Sequence, residues 1–205
     1  MSQAEQAGVS EAETATASPP AERVGTALFV GLALTVAILD QLTKSLVIRW
    51  LPHQTGWPEL DRSFGGVFRF YHSHNTGVAF GLFQGRNGLF VLVACAVVLA
   101  LLWYQHTLPA GDRLTRLALG LQVGGAAGNI VDRLRQGYVT DFLDFHLGGW
   151  HWPTFNLADS AIVLGVGLLM LQLWRAEAQR EASPSVVGGG EPRSLDAGGI
   201  EPPNG

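Results

Sequence analysis

Four apolar stretches separated by polar links constrain this chain more than any other feature of its sequence. They cover about residues 24–44, 88–104, 114–131 and 156–174. A helix that crosses a bilayer needs roughly 17–25 residues, and the second and third stretches qualify directly. The first and fourth qualify only if their polar ends, at residues 40–44 and 156–160, belong to the helices. We therefore predict an integral membrane protein, mainly α, with four transmembrane helices.

The composition agrees with this prediction. Charged residues make up 15% of the 205 residues, against about 25% in an ordinary soluble domain. Residues 1–22 and 183–205 are rich in small and polar side chains, and we expect both to be disordered tails. The N-terminus lacks the basic segment of a cleavable signal peptide. One helical domain would occupy residues 23–176, followed by a largely disordered tail over 177–205.

Several classes of function are disfavoured by residue types. A net charge of -4 argues against a nucleic-acid surface, which needs clustered Lys and Arg. Cys95 is the only cysteine, so an intramolecular disulfide and a cysteine-type zinc site are excluded, and we expect an ordinary apolar role for it. The histidines fall in predicted loops, and no H-E-x-x-H motif indicates a metalloprotease. Ser160 has no lysine or histidine at a spacing that suits a serine–lysine peptidase.

Two of the three links are long, over residues 45–87 and 133–155, and they lie on the same face because two helices separate them. Aromatic and β-branched residues next to glycines at 65–72 and 78–83 predict a small β-hairpin or sheet within 45–87. Trp57, Trp150 and Trp152 fall in these links, as expected of membrane-interface anchors. Seven basic residues on this face against six on the other leave the orientation open. Arginines close to the span ends favour the short-link face as cytoplasmic.

Polar clusters interrupt the apolar pattern on the long-link face. Asp40 and Lys44 are spaced i,i+4, so they either form an ion pair that neutralises a helix end or scaffold a neighbouring site. Asn129 and Asp132 share a helix face next to Arg133, and the three either hold loops through hydrogen bonds or take part in chemistry. Small residues at 124–128 precede them and allow another helix to approach closely.

Two aspartates carry the sharpest hypothesis. Asp141 falls in a predicted loop, with Asp144 three residues later, and Asp159 opens the fourth stretch three residues after Asn156. Taken alone, Asp159 is explained as a helix cap. Two carboxylates that meet in a partly dry site cannot easily both ionise, so the pair offers a base for water and an acid for a carbonyl oxygen or a leaving amine. We expect Asp141 and Asp159 to converge in this way.

Five motifs in order resemble those of the bacterial lipoprotein signal peptidases, or signal peptidase II. They are D-Q-x-x-K (40–44), N-T-G-x-A-F (75–80), G-N-x-x-D-R (128–133), V-x-D-F (139–142) and F-N-x-A-D-S (155–160). The resemblance covers about residues 24–176. It implies a four-helix inner-membrane aspartic endopeptidase with both termini cytoplasmic, a periplasmic β-rich cradle and a site near the periplasmic face. Such enzymes remove the signal peptide from a prolipoprotein by cleaving before its diacylglyceryl-modified cysteine.

Carried onto this sequence, the resemblance places the catalytic pair at Asp141 and Asp159. Supporting or substrate-binding residues would be Asp40, Lys44, Asn75, Gly77, Asn129, Asp132, Arg133 and Asn156. Asp132 is the rival of Asp141, and we expect it to order a loop near Arg133 instead. The mechanism requires no metal, cofactor or covalent intermediate. The expected partners are lipid-modified prolipoproteins and membrane lipids, with no nucleic acid, and the chain is expected to be a monomer.

An alternative from another class is a four-span transporter or channel whose acids bind protons or cations. The sequence argues against it because the acids lie at one rim and no predicted span carries charge at mid-depth.

Overall fold

The computed structural model describes residues 20–58, 65–77 and 86–182. In chain order the elements are α1 (Pro20–Trp50), β1 (Phe68–Asn75), α2 (Asn87–Thr107), α3 (Arg113–Gln136), β2 (Val139–Leu147), β3 (Trp150–Phe155) and α4 (Leu157–Ala182). Each of the four apolar stretches therefore forms a helix. The predicted tails lie largely outside the described residues, but residues 20–22 begin α1 and residues 177–182 continue α4, so these parts are helical rather than disordered.

Within the described ranges, three helices are long and apolar enough to cross a membrane, at Arg23–Trp50, Asn87–Thr107 and Leu157–Glu181. Many of their large side chains point outward. Leu92, Trp103 and Leu164 are 67%, 71% and 62% exposed. Apolar surface on this scale is expected on a protein whose solvent is lipid, and it is rare on a soluble monomer. The helices thus indicate an integral membrane protein.

Helix α3 differs from the other three because it lies at the centre of the bundle. It packs most extensively against α1 and α4, and less against α2. A Cβ added to Gly125 would lie 2.4 Å from the carbonyl oxygen of Ala158, so only glycine allows the α3–α4 contact to be this close. The third predicted span is confirmed as a helix, and its crossing of a membrane stays a prediction.

A three-stranded antiparallel sheet in the order β1–β2–β3 joins the two long links. β1 pairs with β2, which belongs to the other link, and Asn75 lies opposite Val139. The strand predicted at 65–72 is confirmed with shifted bounds, whereas residues 78–83 lie outside the described part of the chain. The sheet packs on the last turn of α1 through a cluster of Val47, Leu51 and Phe142.

Two predictions about the links are wrong. Asp141 lies in β2 and not in a loop. The histidines at 72, 74, 146 and 151 lie on strands, and His106 lies in the last turn of α2. β2 is the central strand, so polar residues on it are covered by neighbours and the alternation that marks a half-exposed strand is blurred. Pro153 in β3 obscured that strand, because proline is tolerated only where a strand has an unpaired edge.

The turn from α3 into β2 brings the polar end of α3 close to Asp141. Gly137 has φ 81° and its N–H donates to the carbonyl oxygen of Arg133. This left-handed residue ends the helix in the way that favours glycine. β2 begins at Val139, so Asp132 on α3 and Asp141 on β2 flank one tight turn.

Candidate active site

Helix α4 begins with a reciprocal pair of hydrogen bonds between Asn156 and Asp159. The backbone N of Asp159 donates to Asn156 Oδ1 at 2.9 Å, and the backbone N of Asn156 donates to Asp159 Oδ2 at 3.2 Å. A capping box of this kind satisfies N–H groups that a first helical turn leaves free. Asp159 is therefore a cap, but the cap uses only one of its two oxygens.

The side-chain atoms of Asn156 and Asp159 that do not take part in the cap bind other residues of the site, including Asp141. Asn156 Nδ2 donates to Asp141 Oδ1 at 2.6 Å. The other oxygen of Asp141 accepts from Asn75 Nδ2 at 3.0 Å, and Asp159 Oδ1 accepts from Asn129 Nδ2 at 2.7 Å. The two predicted carboxylates thus converge on one asparagine, and each of their four oxygens accepts an N–H.

The two carboxylates differ in their access to solvent. Asp141 is 2% exposed, whereas Asp159 is half-buried. Burial raises the pKa of Asp141 to about 7, the negative charge of Asp159 adds to the rise, and the hydrogen bonds from Asn75 and Asn156 oppose it. Near neutral pH Asp141 therefore holds a proton for much of the time. Asp141 can act as a proton donor, and the more accessible Asp159 can act as an acceptor.

Lys44 is connected to the aspartate pair through one residue, Asn129, and its ammonium group is buried among oxygen atoms. Its Nζ contacts Asp40 Oδ2 at 2.8 Å, Asp132 Oδ2 at 3.0 Å and Asn129 Oδ1 at 2.9 Å. An ammonium group has three N–H donors and no acceptor, so the side chain of Asn129 must turn its oxygen toward Lys44. The amide nitrogen of Asn129 then points toward Asp159. Lys44 in this way sets the orientation of an amide that contacts the candidate pair.

Asp40 and Asp132 attach this lysine to three separate elements. Asp40 Oδ1 accepts from the backbone N of Ala158 at 3.0 Å, which joins α1 to the first turn of α4. Asp132 Oδ2 also accepts from the backbone N of Thr140 at 3.1 Å, next to Asp141 on β2. The ion pair and the scaffold predicted for Asp40 and Lys44 are therefore one arrangement. The sequence predicts that Asp132 orders a loop near Arg133. In the structure the cation that contacts its carboxylate is Lys44.

Arg133 and Gly77 bound the site on the side of β1. Arg133 Nη2 donates to the carbonyl oxygen of Gly77 at 3.3 Å, and the backbone N of Gly77 donates to Asn75 Oδ1 at 3.1 Å. The negative charges of Asp159 and Asp141 also interact favourably with the Arg133 guanidinium. One end of the Asn75 amide is thereby held by Gly77, and the other end meets Asp141.

The residues predicted from the sequence therefore lie in one connected polar network. Gln41 also belongs to this network, although it was not predicted as a site residue. Its Nε2 donates to Asp132 Oδ1 at 2.9 Å and to the carbonyl oxygen of Gly128 at 3.1 Å. The position of Gln41 inside the D-Q-x-x-K motif was the sequence feature that could have identified it.

Asp144 does not join this network, although it lies on the same strand as Asp141. Its carboxylate contacts Arg69, His146 and His151. Burial tends to raise the pKa of Asp144, but the hydrogen bonds from these three side chains hold it below its ordinary value. This carboxylate is therefore ionised at neutral pH and belongs to a separate cluster.

Comparison with known proteins gives a consistent result. The family model described as signal peptidase (SPase) II matches residues 32–175. The lipoprotein signal peptidase of Halothermothrix orenii is 40% identical over 146 residues, which cover 71% of this chain and 94% of that protein. The lipoprotein signal peptidase of Moorella thermoacetica is 40% identical over 156 residues, which cover 76% and 99%.

Solved structures resemble the fold as well. A bacterial membrane enzyme determined by the in meso method at 2.3 Å resolution aligns with a TM-score of 0.67 at 25% identity, over 76% of this chain and 92% of that one. A second bacterial membrane enzyme, determined at 1.9 Å, aligns with a TM-score of 0.62 at 27% identity, over 71% and 91%.

Proposed function

This chain belongs to the signal peptidase II family, and on that premise we propose that it is an aspartic endopeptidase with Asp141 and Asp159 as its catalytic pair. Its substrates would be prolipoproteins, cleaved before the diacylglyceryl-modified cysteine so that the signal peptide is released. The observation that carries the proposal is the convergence of both carboxylates on Asn156, at 2.6 Å from its amide nitrogen and 3.2 Å from its backbone nitrogen.

Each aspartate takes a defined part in the proposed reaction. Asp159, which is half-buried, acts as the base and removes a proton from a water molecule as the water oxygen bonds to the scissile carbonyl carbon. Asp141, protonated, donates a hydrogen bond to the developing oxyanion and then gives its proton to the leaving amine as the C–N bond breaks. Proton return from Asp159 to Asp141 restores the starting state, without a covalent enzyme intermediate.

The neighbours of the pair suit this division of roles. Neutral amides, not cations, make the hydrogen bonds to both carboxylates. A lysine in direct contact would lower the pKa of a carboxyl group and remove the shared proton. The charge of Lys44 tends to lower the pKa of Asp141, but this is the smallest of the effects on that group. Lys44 makes its hydrogen bond to Asn129, which in turn donates to Asp159.

We also propose that α3 is a fourth transmembrane helix, although it is less apolar than the other three. Its buried glycines, Asn129 and Asp132 face neighbouring helices, so its surface in contact with lipid is smaller and needs fewer large apolar side chains. The proposed arrangement has four spans in the inner membrane, both termini in the cytoplasm and the sheet with its site at the periplasmic face. The substrate acyl chains would lie in the bilayer, and the chain would act as a monomer.

The test uses the full chain purified in detergent. It is incubated with a prolipoprotein that carries the diacylglyceryl group and, separately, with the unmodified precursor. The proposal predicts that the lipidated precursor alone is shortened and that mass spectrometry finds the modified cysteine at the new N-terminus. Absence of that product, or cleavage at another bond, would overturn the assignment, and absence is also what a transporter would give.

A further inference from the structure

We propose that Asp144, His146 and His151 form a binding site for one zinc ion on the sheet, outside the catalytic network. The three side chains each present one ligand atom, and these atoms all lie within 4.8 Å of one another. The site does not depend on the proposed function, because it predicts metal binding and stability and adds nothing to the cleavage chemistry.

The sheet itself brings the three ligands together. Asp144 and His146 are two positions apart on β2, so their side chains leave the same face of the strand. His151 lies on β3 directly opposite His146 in the strand register. The two imidazole rings are 4.5 Å apart between centroids. Strand pairing therefore preforms the site.

Both imidazoles direct the same ring atom at the buried carboxylate. His151 Nε2 lies 2.6 Å from Asp144 Oδ1, and His146 Nε2 lies 3.0 Å from Asp144 Oδ2. A single cation among these atoms can replace the two Nε2 protons, provided that each imidazole keeps its proton on Nδ1. Two imidazoles and one carboxylate form a donor set that suits Zn²⁺.

Accessibility and support also favour a metal site. The Asp144 side chain is 1% exposed, whereas those of His146 and His151 are 31% and 50% exposed, so an ion reaches the ligands from solvent. Arg69 Nε donates to Asp144 Oδ2 and holds the carboxylate in place. A hydrogen bond of this kind orients a metal ligand from outside the coordination sphere.

Zinc at this position would clamp β2 to β3. β2 carries Asp141, and β3 ends at Phe155, immediately before Asn156. The ion would therefore stabilise the two strands that lead to the candidate catalytic residues. We expect a structural role for it, because its ligands belong to a cluster separate from the catalytic pair.

The experiment measures zinc binding to the full chain, purified in detergent without a histidine tag and stripped with a chelator. Equilibrium dialysis against ZnCl₂, followed by elemental analysis, should give one zinc per chain. His146→Gln and His151→Gln should each weaken binding by at least about tenfold. His106→Gln, on an exposed residue of α2, and His53→Gln, in a separate ring stack with His74, should bind like the wild type.

Two further readouts keep the test decisive if a variant folds poorly. Zinc should raise the melting temperature of the wild type and of His106→Gln, with no rise for His151→Gln. X-ray absorption of the zinc-loaded wild type should show two imidazole ligands and needs no variant. Lack of saturable binding, binding that survives both ligand substitutions, or a ligand set without two imidazoles would each overturn the proposal.

Discussion

Asn156 and Asp159 hold each other's backbone N–H groups, at 2.9 and 3.2 Å, so the cap of α4 and one candidate catalytic carboxylate are a single structure. The cap also fixes the Asn156 side chain, because its Oδ1 is engaged and its Nδ2 must point elsewhere, toward Asp141. Asn156 therefore contributes both to the stability of α4 and to the geometry of the site, and substitutions of Asn156 can separate the two effects.

Asp141→Asn and Asp159→Asn should each reduce cleavage of a lipidated prolipoprotein by at least about 100-fold, the scale of one acid or base in a proton-transfer mechanism. Asparagine keeps the size of the side chain, so the amount of protein in the membrane should not change. The measurement is product formation per unit of purified enzyme. Full activity in either variant would remove that residue from the catalytic pair.

Asp112→Asn is the matched control for these two variants. Asp112 caps α3 through its Oδ1, which accepts from the backbone N of Thr115 at 3.1 Å. Asparagine is an equally good cap, and Asp112 lies at the opposite end of α3 from the candidate pair. Activity close to that of the wild type is expected.

Asn156→Ser should separate the cap from the catalytic contact. Serine caps a helix about as well as asparagine, but it has no amide nitrogen to donate to Asp141. The melting temperature should stay near that of the wild type, whereas kcat should fall by about tenfold, the equivalent of one lost hydrogen bond. Asn156→Ala should lose both activity and about 1 kcal/mol of cap stability. Equal kcat in the serine variant and the wild type would contradict the proposed contact.

The pKa of Asp141 predicts how activity depends on pH. Because burial raises this pKa to about 7 and the protonated form is the proposed acid, kcat/KM should decline as pH rises through about 7. A profile of kcat/KM from pH 5 to pH 9, with zwitterionic detergent to keep the micelle charge constant, measures this limb. A rate that continues to rise above pH 8 would assign the acid to another group.

The same shift predicts a stability effect. The folded protein keeps the Asp141 proton up to about pH 7, whereas an unfolded chain loses it near 3.8. The folded state thus binds more protons between these values, so the contribution of Asp141 to stability is lost as pH rises through about 7. Melting temperatures should decline over this interval, and Asp141→Asn should flatten that part of the curve. An unchanged curve in the variant would contradict the shift.

Lys44→Met should destabilise the folded protein by about 3–5 kcal/mol, because Asp40 and Asp132 would be buried without a cation. The double variant Lys44→Met with Asp40→Asn should recover part of that loss, since it removes one unpaired charge. Thermal unfolding in detergent compares the three proteins. If the double variant is no more stable than Lys44→Met, the buried charges are not the origin of the loss.

Gly128→Ala should lower both stability and activity. A Cβ at Gly128 would lie 2.3 Å from Asp40 Oδ2, so the Asp40 carboxylate would have to move away from Lys44 and from the first turn of α4. Overpacking of this kind costs about 1–3 kcal/mol. Gly31→Ala on α1 is the control, because a Cβ there meets nothing within 4 Å. Equal melting temperatures for the two alanine variants would show that the close approach of Gly128 to Asp40 does not contribute to stability.

Much of the helical architecture could be predicted from the sequence because apolar runs of sufficient length have few other outcomes. The pattern could not show that α3 is the central helix. Its glycines indicate close contacts but not with which helix, and only the structure pairs Gly125 with Ala158 and Gly128 with Asp40. Strand β2 was not predicted because polar residues along it have hydrogen-bond partners on other strands, and β3 was not predicted because it contains Pro153.

The candidate site was predictable as a set of residues and unpredictable as a set of contacts. Lys44 and Asn129 are 85 positions apart, and nothing in their spacing assigns the lysine to an amide rather than to Asp141. The Asp144 cluster was hidden for the same reason. His151 reaches Asp144 only through the pairing of β2 with β3, which depends on a strand register that local patterns leave undetermined.

The hydrogen bond from the backbone N of Ala158 to Asp40 joins residues 118 positions apart. A nascent chain that has completed only its first three helices already contains Asp40, Lys44 and Asp132. It still lacks the backbone N–H of Ala158, which donates to the Asp40 carboxylate. Loop closure over such a distance comes late in assembly. Asp159 arrives on the same helical turn as Ala158, so the order of synthesis delays the completed carboxylate pair until the last helix has docked.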